Sequence, residues 1–354
     1  MNDAWYDTLT KIKNEAPQNI IITSWWDFGH WFKAIADRPV TFDGGTQVGH
    51  GAHWVGKSLL TNDQAVTVGI LRMLNCGQNT AFEELNLILN DTLKSITTIN
   101  TIILQSKEQA AQTLQSHGVT ADQRALVLQY THCAAPPDYF ITSEDMVGKS
   151  GVWGHFGSWN FEKAVFYQKT KKLSRDEAVQ YFTATFNMSR EQANKLHAEI
   201  QAEENADSWI APWPGYGSMF RNCDELPENK VRCATSIRSG ETLSFIVDTK
   251  SYDVHLENGQ DIVPNSIVYT TADGVEEKML SGKNIGLSLV LTSNENRHQF
   301  MLADPLHASS TFTKLFFLDG KGMNCFKKFD DVNSAVTGRV ITWVLEDYDC
   351  PLKR

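Results

Sequence analysis

The hydrophobic pattern of this chain shifts from mostly helical to β near residue 211, and that shift constrains the architecture more than any other feature. From about residue 79 to 205 the apolar residues recur at helical spacing. Leu93, Ile96, Ile99 and Ile103 share one face, as do Ala193, Leu196 and Ile200. Capping boxes mark the helix starts: Thr80 with Glu83, Ser106 with Gln109, Thr120 with Gln123, Ser174 with Glu177, and Ser189 with Gln192. From about 233 to 305 the apolar runs shorten, and turn pairs such as Asn258-Gly259 and Asp273-Gly274 separate them. That spacing predicts strands at Leu243–Val247, Val254–Leu256, Ser266–Thr270, Glu277–Leu280, Leu287–Leu291 and Gln299–Leu302.

The first part alternates helix and strand. Asp3 is expected to cap a helix that Pro17 ends. Strands are expected at Asn19–Thr23, Pro39–Phe42 and Asp138–Thr142, with helices near His30–Ala36, Trp54–Leu60 and Asp63–Leu74. Residues 211–222 read as a loop or hinge. After Pro305 a helix (Ser309–Leu318) and a strand (Arg339–Leu345) return. The expected fold is mixed α/β: a largely helical α/β core domain with an inserted or appended β-rich module. The expected division is 1–222 for the core, 223–305 for the β-rich insertion, and 306–354 for a return to the core.

Composition removes several function classes. The chain of 354 residues carries 32 Lys and Arg against 42 Asp and Glu, a formal charge of −10. With no basic run, it is not expected to track nucleic-acid phosphates. No apolar stretch is long enough for a membrane span and the N-terminus lacks a signal-peptide pattern, so the chain as given is expected to be soluble. None of the six cysteines forms a C-x-x-C pair, which disfavours structural zinc. Buried thiols and disulfides both remain open; Cys223 and Cys233, flanking a turn-rich segment, are the leading pair for a bridge.

The distinctive chemistry lies in Trp25-Trp26-Asp27-Phe28-Gly29, directly after the first expected strand. Strand ends that open toward a helix are where α/β proteins place ligand-facing side chains. An indole N–H only donates, and an ionised carboxylate only accepts. Two donors and one acceptor converging on a point complement a hydroxyl group, so the triplet suits the side chain of Ser or Thr. Core packing with one exposed carboxylate is the plainer alternative.

These residues resemble the Trp-Trp-Asp-aromatic-Gly signature of the oligosaccharyltransferase catalytic subunit, the enzyme of asparagine-linked glycosylation. The flanks resemble its archaeal branch: Ala36-Asp37-Arg38-Pro39, Asp43-Gly44-Gly45 and Ala52-His53-Trp54. Ser143-Glu144-Asp145-Met146-Val147-Gly148-Lys149 is similar to the family's short second motif, and Phe312–Leu318 to a late helix of its C-terminal domain. The resemblance implies that Trp25, Trp26 and Asp27 hold the hydroxyl of the Ser or Thr two residues after the acceptor Asn, with Phe28 and Gly29 completing the signature. It implies that Asp145, Met146 and Lys149 support that pocket. Lys149 stands four residues after Asp145, where the commonest version has three, which leaves open whether Met146 or Lys149 faces the acceptor. The resemblance also implies a membrane half absent from this sequence, holding a divalent metal (Mn or Mg) and a lipid-linked oligosaccharide. This chain would then be an extracytoplasmic soluble domain that binds acceptor polypeptide, needs no cofactor of its own and is inactive alone.

Two rival motifs belong to other classes. Gly51-Ala52-His53-Trp54-Val55-Gly56-Lys57-Ser58 matches the nucleotide P-loop pattern, but a loop precedes it where the phosphate cradle needs a strand. Asp27, His30, Asp43, His50 and His53 cluster in sequence as a metal-dependent hydrolase's ligands do, without helical ligand spacing. Asp347-Tyr348-Asp349 reads as a solvated tail. Asn90-Asp91-Thr92 and Asn187-Met188-Ser189 are glycosylation sequons at expected helix starts, where helix capping is the safer role.

Overall fold

A computed structural model describes residues 3–46, 51–236, 242–259, 262–294, 297–335 and 338–353. Four strands form the central sheet, in the order Ile21–Thr23, Asp138–Ser143, Gly338–Leu345, Lys327–Ser334. The first pair is parallel and the other two are antiparallel. Every residue of Asp138–Ser143 is buried, as a strand covered on both faces requires. Side-chain alternation divides its neighbours between two cores. Phe140, Ile341 and Trp343 join the larger one with Trp25, Trp54 and Trp153. Tyr139, Ile141, Val340 and Val344 join Trp5, Leu9 and Ile12 of the N-terminal helix, Asp3–Glu15. The side chain of Asp3, the expected cap, lies outside the described residues.

The expected strand at Pro39–Phe42 is reduced to a single bridge between Ile22 and Val40. The chain turns immediately afterwards, because the Asp43 carboxylate accepts from the backbone N–H groups of Gly45 and Thr46. The strand Lys327–Ser334 was not foreseen. Its sequence, Lys-Lys-Phe-Asp-Asp-Val-Asn-Ser, is charged because it forms the sheet edge, where charge discourages further pairing.

Four of the five capping boxes form. The fifth does not, because the helix Thr80–Leu89 starts from Asn79. The Asn79 side chain accepts from the Trp54 indole and donates to Glu83, so Glu83 is not free to cap Thr80. The sequon asparagines also differ from expectation. Asn90 and Asn187 close the preceding helices in the left-handed conformation, while Asp91 and Ser189 cap the helices that follow.

The six strands expected between 233 and 305 are present, each within two or three residues of its predicted bounds. The structure adds Lys230–Ser236, whose alternating Val231, Cys233 and Thr235 face inward. A five-stranded and a four-stranded sheet share one apolar core containing Val231, Phe245, Ile267, Leu289 and Phe300.

All six cysteines are paired, as Cys76–Cys133, Cys223–Cys233 and Cys325–Cys350. The expected Cys223–Cys233 bridge is among them. The last bridge anchors the segment read as a solvated tail: its two carboxylates are exposed, as expected, but the segment is pinned to the core. The Tyr348 hydroxyl donates to the Pro136 carbonyl at 2.7 Å and accepts from the Asn75 amide at 2.9 Å. Asp349 pairs with the buried Arg72 at 3.3 Å.

Candidate functional site

Two neighbouring parallel strands, Ile21–Thr23 and Asp138–Ser143, end on the same side of the sheet. Each is followed at once by one of the sequence motifs. The topology therefore brings the motifs together, although they lie far apart in the chain. Ser24 ties the two strand ends, donating its hydroxyl to the Ile141 carbonyl at 2.9 Å.

After the first strand the backbone stays extended at Trp25 and then forms a short 3₁₀ turn, Trp26–Phe28. Gly29 follows because nothing larger fits. A Cβ there would lie 2.4 Å from the Asp43 Cβ and 2.7 Å from the Phe42 carbonyl oxygen. Trp25 is buried, edge-on to Phe42 with ring centroids 5.4 Å apart and 6.4 Å from Phe156. Phe28 packs against Trp5 and Trp31, with centroids at 4.6 and 4.9 Å. Trp26 and Asp27 are half-buried.

The second strand leads into the short helix Asp145–Gly148. Lys149, just beyond it, reaches back with its ammonium 2.8 Å from Asp27 and 3.0 Å from Asp145. It also lies 5.1 Å from the Phe28 ring centroid. Partial burial pulls the Lys149 ammonium down, but the bonds to Asp27 and Asp145 outweigh it and hold the group above its ordinary range. Ser143 donates a short hydrogen bond to the other oxygen of Asp145. Met146 points the opposite way. It is buried, its sulfur 3.7 Å from the Ser24 hydroxyl, and its carbonyl accepts from the Trp153 indole at 2.8 Å. Of the two residues left open by the sequence, Lys149 is the one at the surface.

One Asp27 oxygen meets Lys149. The other, Oδ2, is buried and has no hydrogen-bond partner among the described residues. Neither the Trp25 nor the Trp26 indole N–H finds an acceptor among the described residues. The triplet thus keeps its acceptor and both donors unspent.

The rival motifs do not assemble. Gly51–Leu60 is a continuous α-helix, so the second half of the P-loop spelling, Val55 to Ser58, has its backbone amides committed to helix bonds instead of a phosphate cradle. Gly56 serves as a helix crossing: a Cβ there would lie 2.4 Å from the Trp153 carbonyl oxygen and 2.8 Å from the Gly157 nitrogen. In the suggested metal set, Asp27 is held by Lys149, and Asp43 by a short hydrogen bond from Lys33. That bond keeps the Asp43 carboxyl below its usual range against the opposing effect of burial, helped by the Gly45 and Thr46 amides. His53 lies 2.9 Å from the Phe156 carbonyl through Nδ1, and His50 lies outside the described residues. No group of three or more His, Cys, Asp or Glu among the described residues is arranged to hold a metal.

The chain is similar to known proteins along most of its length. Residues 18–128 match the family described as the STT3/PglB/AglB core domain, a segment that holds the first motif. The resemblance to oligosaccharyltransferase catalytic subunits is thereby borne out, and its archaeal character appears in the relatives. A dolichyl-phosphooligosaccharide-protein glycotransferase of Methanocaldococcus jannaschii is 36% identical over 186 residues, covering 48% of this chain and 20% of the relative. The protein of the same name from Methanococcus voltae is 25% identical over 343 residues, covering 92% of this chain and 35% of the relative. The chain therefore spans a fifth to about a third of the length of these curated relatives. A crystal structure of the C. jejuni PglB C-terminal domain aligns over 97% of this chain and 100% of its own at 13% identity, with a TM-score of 0.43, too low to carry structural argument. No helix among the described residues is long and apolar enough to cross a membrane.

Proposed function

We propose that this chain is the acceptor-binding part of an oligosaccharyltransferase, which holds an Asn-x-Ser/Thr segment while a membrane half transfers oligosaccharide to the Asn. The observation that carries the reading is the buried Asp27 Oδ2, which has no hydrogen-bond partner among the described residues, in a triplet whose two indole N–H groups are likewise unspent there. A buried acceptor without a partner costs roughly 1–3 kcal/mol, a cost that a hydroxyl donor from the acceptor would remove. In this reading Trp25, Trp26 and Asp27 hold the hydroxyl. Phe28 and Gly29 set the turn that presents them. Lys149 and Asp145 orient Asp27, and Met146 anchors the second motif from the core side.

The remaining parts of the reading extend the family resemblance, and only the lipid-linked oligosaccharide appears in the relatives' names. The donor is a lipid-linked oligosaccharide held with a divalent metal, Mn or Mg, in the membrane half. The domain faces the cell exterior, which suits three disulfides, since these persist in oxidising surroundings. The division into a core (1–222 and 306–354) and an inserted β module (223–305) is part of the same proposal.

The test is glycan transfer to an Asn-x-Thr peptide by the full-length membrane-embedded protein, supplied with lipid-linked donor and metal. Asp27→Ala is expected to lower transfer by about a hundredfold or more, an effect of the size seen when one polar group essential to a site is removed. Trp26→Phe, which deletes one donor, is expected to lower it by about tenfold. Unchanged transfer by folded Asp27→Ala would overturn the pocket assignment.

A further inference from the structure

On another face of the core, a cavity of about 480 Å³ opens between the helices Gly51–Leu60, Thr92–Ile102 and Phe161–Thr170. That volume is in the range of small-molecule sites. Lys57 lines it. Its ammonium donates to the Asn100 amide oxygen at 2.6 Å and forms no ion pair among the described residues. The same lysine, with Ser158, also walls an adjoining cavity of about 350 Å³ near Leu306 and Glu277. Lys57 thus stands between two open spaces with neutral partners only, the Asn100 amide oxygen and the Trp54 ring, whose centroid lies 5.9 Å away. Burial pulls its ammonium down to about 8. An ammonium buried without a counter-charge is costly to keep, and an anion entering the cavity would relieve that cost.

The rest of the wall narrows the ligand. Thr97 and Ser158 offer hydroxyls, Asn100 an amide, and Trp159 an aromatic surface. Glu162 also lines the space and, ionised, only accepts hydrogen bonds. A carboxylate in the wall disfavours a phosphate group, which carries roughly −1.5 to −2 charge at neutral pH. One cation, one acceptor-only carboxylate and two hydroxyls, of which Ser158 already donates to the His155 carbonyl at 3.2 Å and is left to accept, suit a ligand with a single negative charge and many hydroxyl groups.

We propose that this cavity binds a sugar acid, with the ligand carboxylate on the Lys57 ammonium and its hydroxyls shared among Thr97, Ser158 and Glu162. The adjoining cavity lets that residue belong to a longer saccharide. The proposal does not depend on the acceptor reading, since no residue is common to the two sites.

The experiment is ligand-observed NMR on this chain with D-glucuronate, D-glucose, L-glutamate and inorganic phosphate as probes. Glucuronate is expected to bind at millimolar concentration, at least tenfold tighter than each of the other three. Lys57→Met is expected to weaken it tenfold or more while thermal unfolding stays cooperative. Trp159→Ala, which leaves Lys57 in place, is expected to weaken it as well and decides the matter if Lys57→Met does not fold. No glucuronate binding, equal binding of any of the other probes, or wild-type binding by a folded Lys57→Met would overturn the proposal.

Discussion

The Lys149 ammonium lies 2.8 Å from the Asp27 carboxylate and 3.0 Å from that of Asp145, and so bolts together two motifs that follow adjacent strands. All three side chains are a quarter to a third exposed, and an ion pair so placed adds little to stability. Its consequence is directional. With Oδ1 held by Lys149, the orientation of Oδ2 is fixed.

Removing that hold should therefore change acceptor binding more than folding. Lys149→Met is expected to raise the peptide KM of the full-length protein about tenfold, roughly the worth of one charge-assisted hydrogen bond. The melting temperature of the domain should barely move. Asp145→Asn, which weakens one of the two bonds to Lys149, should give a smaller effect in the same direction. A large loss of melting temperature with unchanged KM would make the lysine structural only.

Acceptor discrimination follows from the same pocket. Thr should be preferred over Ser, because a buried methyl is worth roughly 0.8 kcal/mol, about fourfold in binding. A peptide with Val in place of Thr keeps the shape but leaves the carboxylate and both indoles unpaired, so it should be rejected far more strongly. Competition assays with the three peptides measure both ratios, and equal competition by Val would exclude hydroxyl recognition.

Gly29 carries a separate expectation. Its Cβ would meet the Asp43 backbone and the Phe42 carbonyl, neither of which is a flexible side-chain end. Gly29→Ala should push the Trp26–Phe28 turn away from residues 42 and 43 and cost roughly 1–3 kcal/mol, as overpacking does. Chemical denaturation reads the loss. A variant of wild-type stability would show that this contact yields easily.

Much of this was legible in the sequence because the signals were local. Capping boxes at Ser106, Thr120, Ser174 and Ser189 depend on four consecutive residues, and all formed. The Trp25–Gly29 signature and the strand before it were readable for the same reason. What escaped depended on tertiary partners. Asn79 displaced the Thr80 cap because Trp54, distant in sequence, needed an acceptor. The edge strand Lys327–Ser334 gains its apolar context only beside Gly338–Leu345. Cys76–Cys133 and Cys325–Cys350 join residues whose proximity no spacing announces. The pairing of Lys149 with Asp27 likewise needed the parallel register of two strands.

The last expectation concerns Asp138, at the opposite end of the central strand from the two motifs. It is fully buried. Its Oδ2 accepts from Thr23 at 2.6 Å and Asn75 at 2.7 Å, while Oδ1 has no partner among the described residues. Burial raises the carboxyl from 3.8 to about 7, against the two hydrogen bonds. Between these values the native state holds a proton that the unfolded chain has released. Stability from this group is therefore full below pH ~4 and declines as pH rises through about 7. The rise corresponds to a penalty of about 4 kcal/mol once the carboxyl must be charged in the fold. Asp138→Asn keeps the shape: its oxygen can accept from Thr23 and Asn75, and it never ionises. Urea unfolding at pH 5 and pH 8 should show wild type losing stability relative to the variant at the higher pH. Parallel behaviour at the two pH values would mean that Asp138 is already ionised in the native sheet.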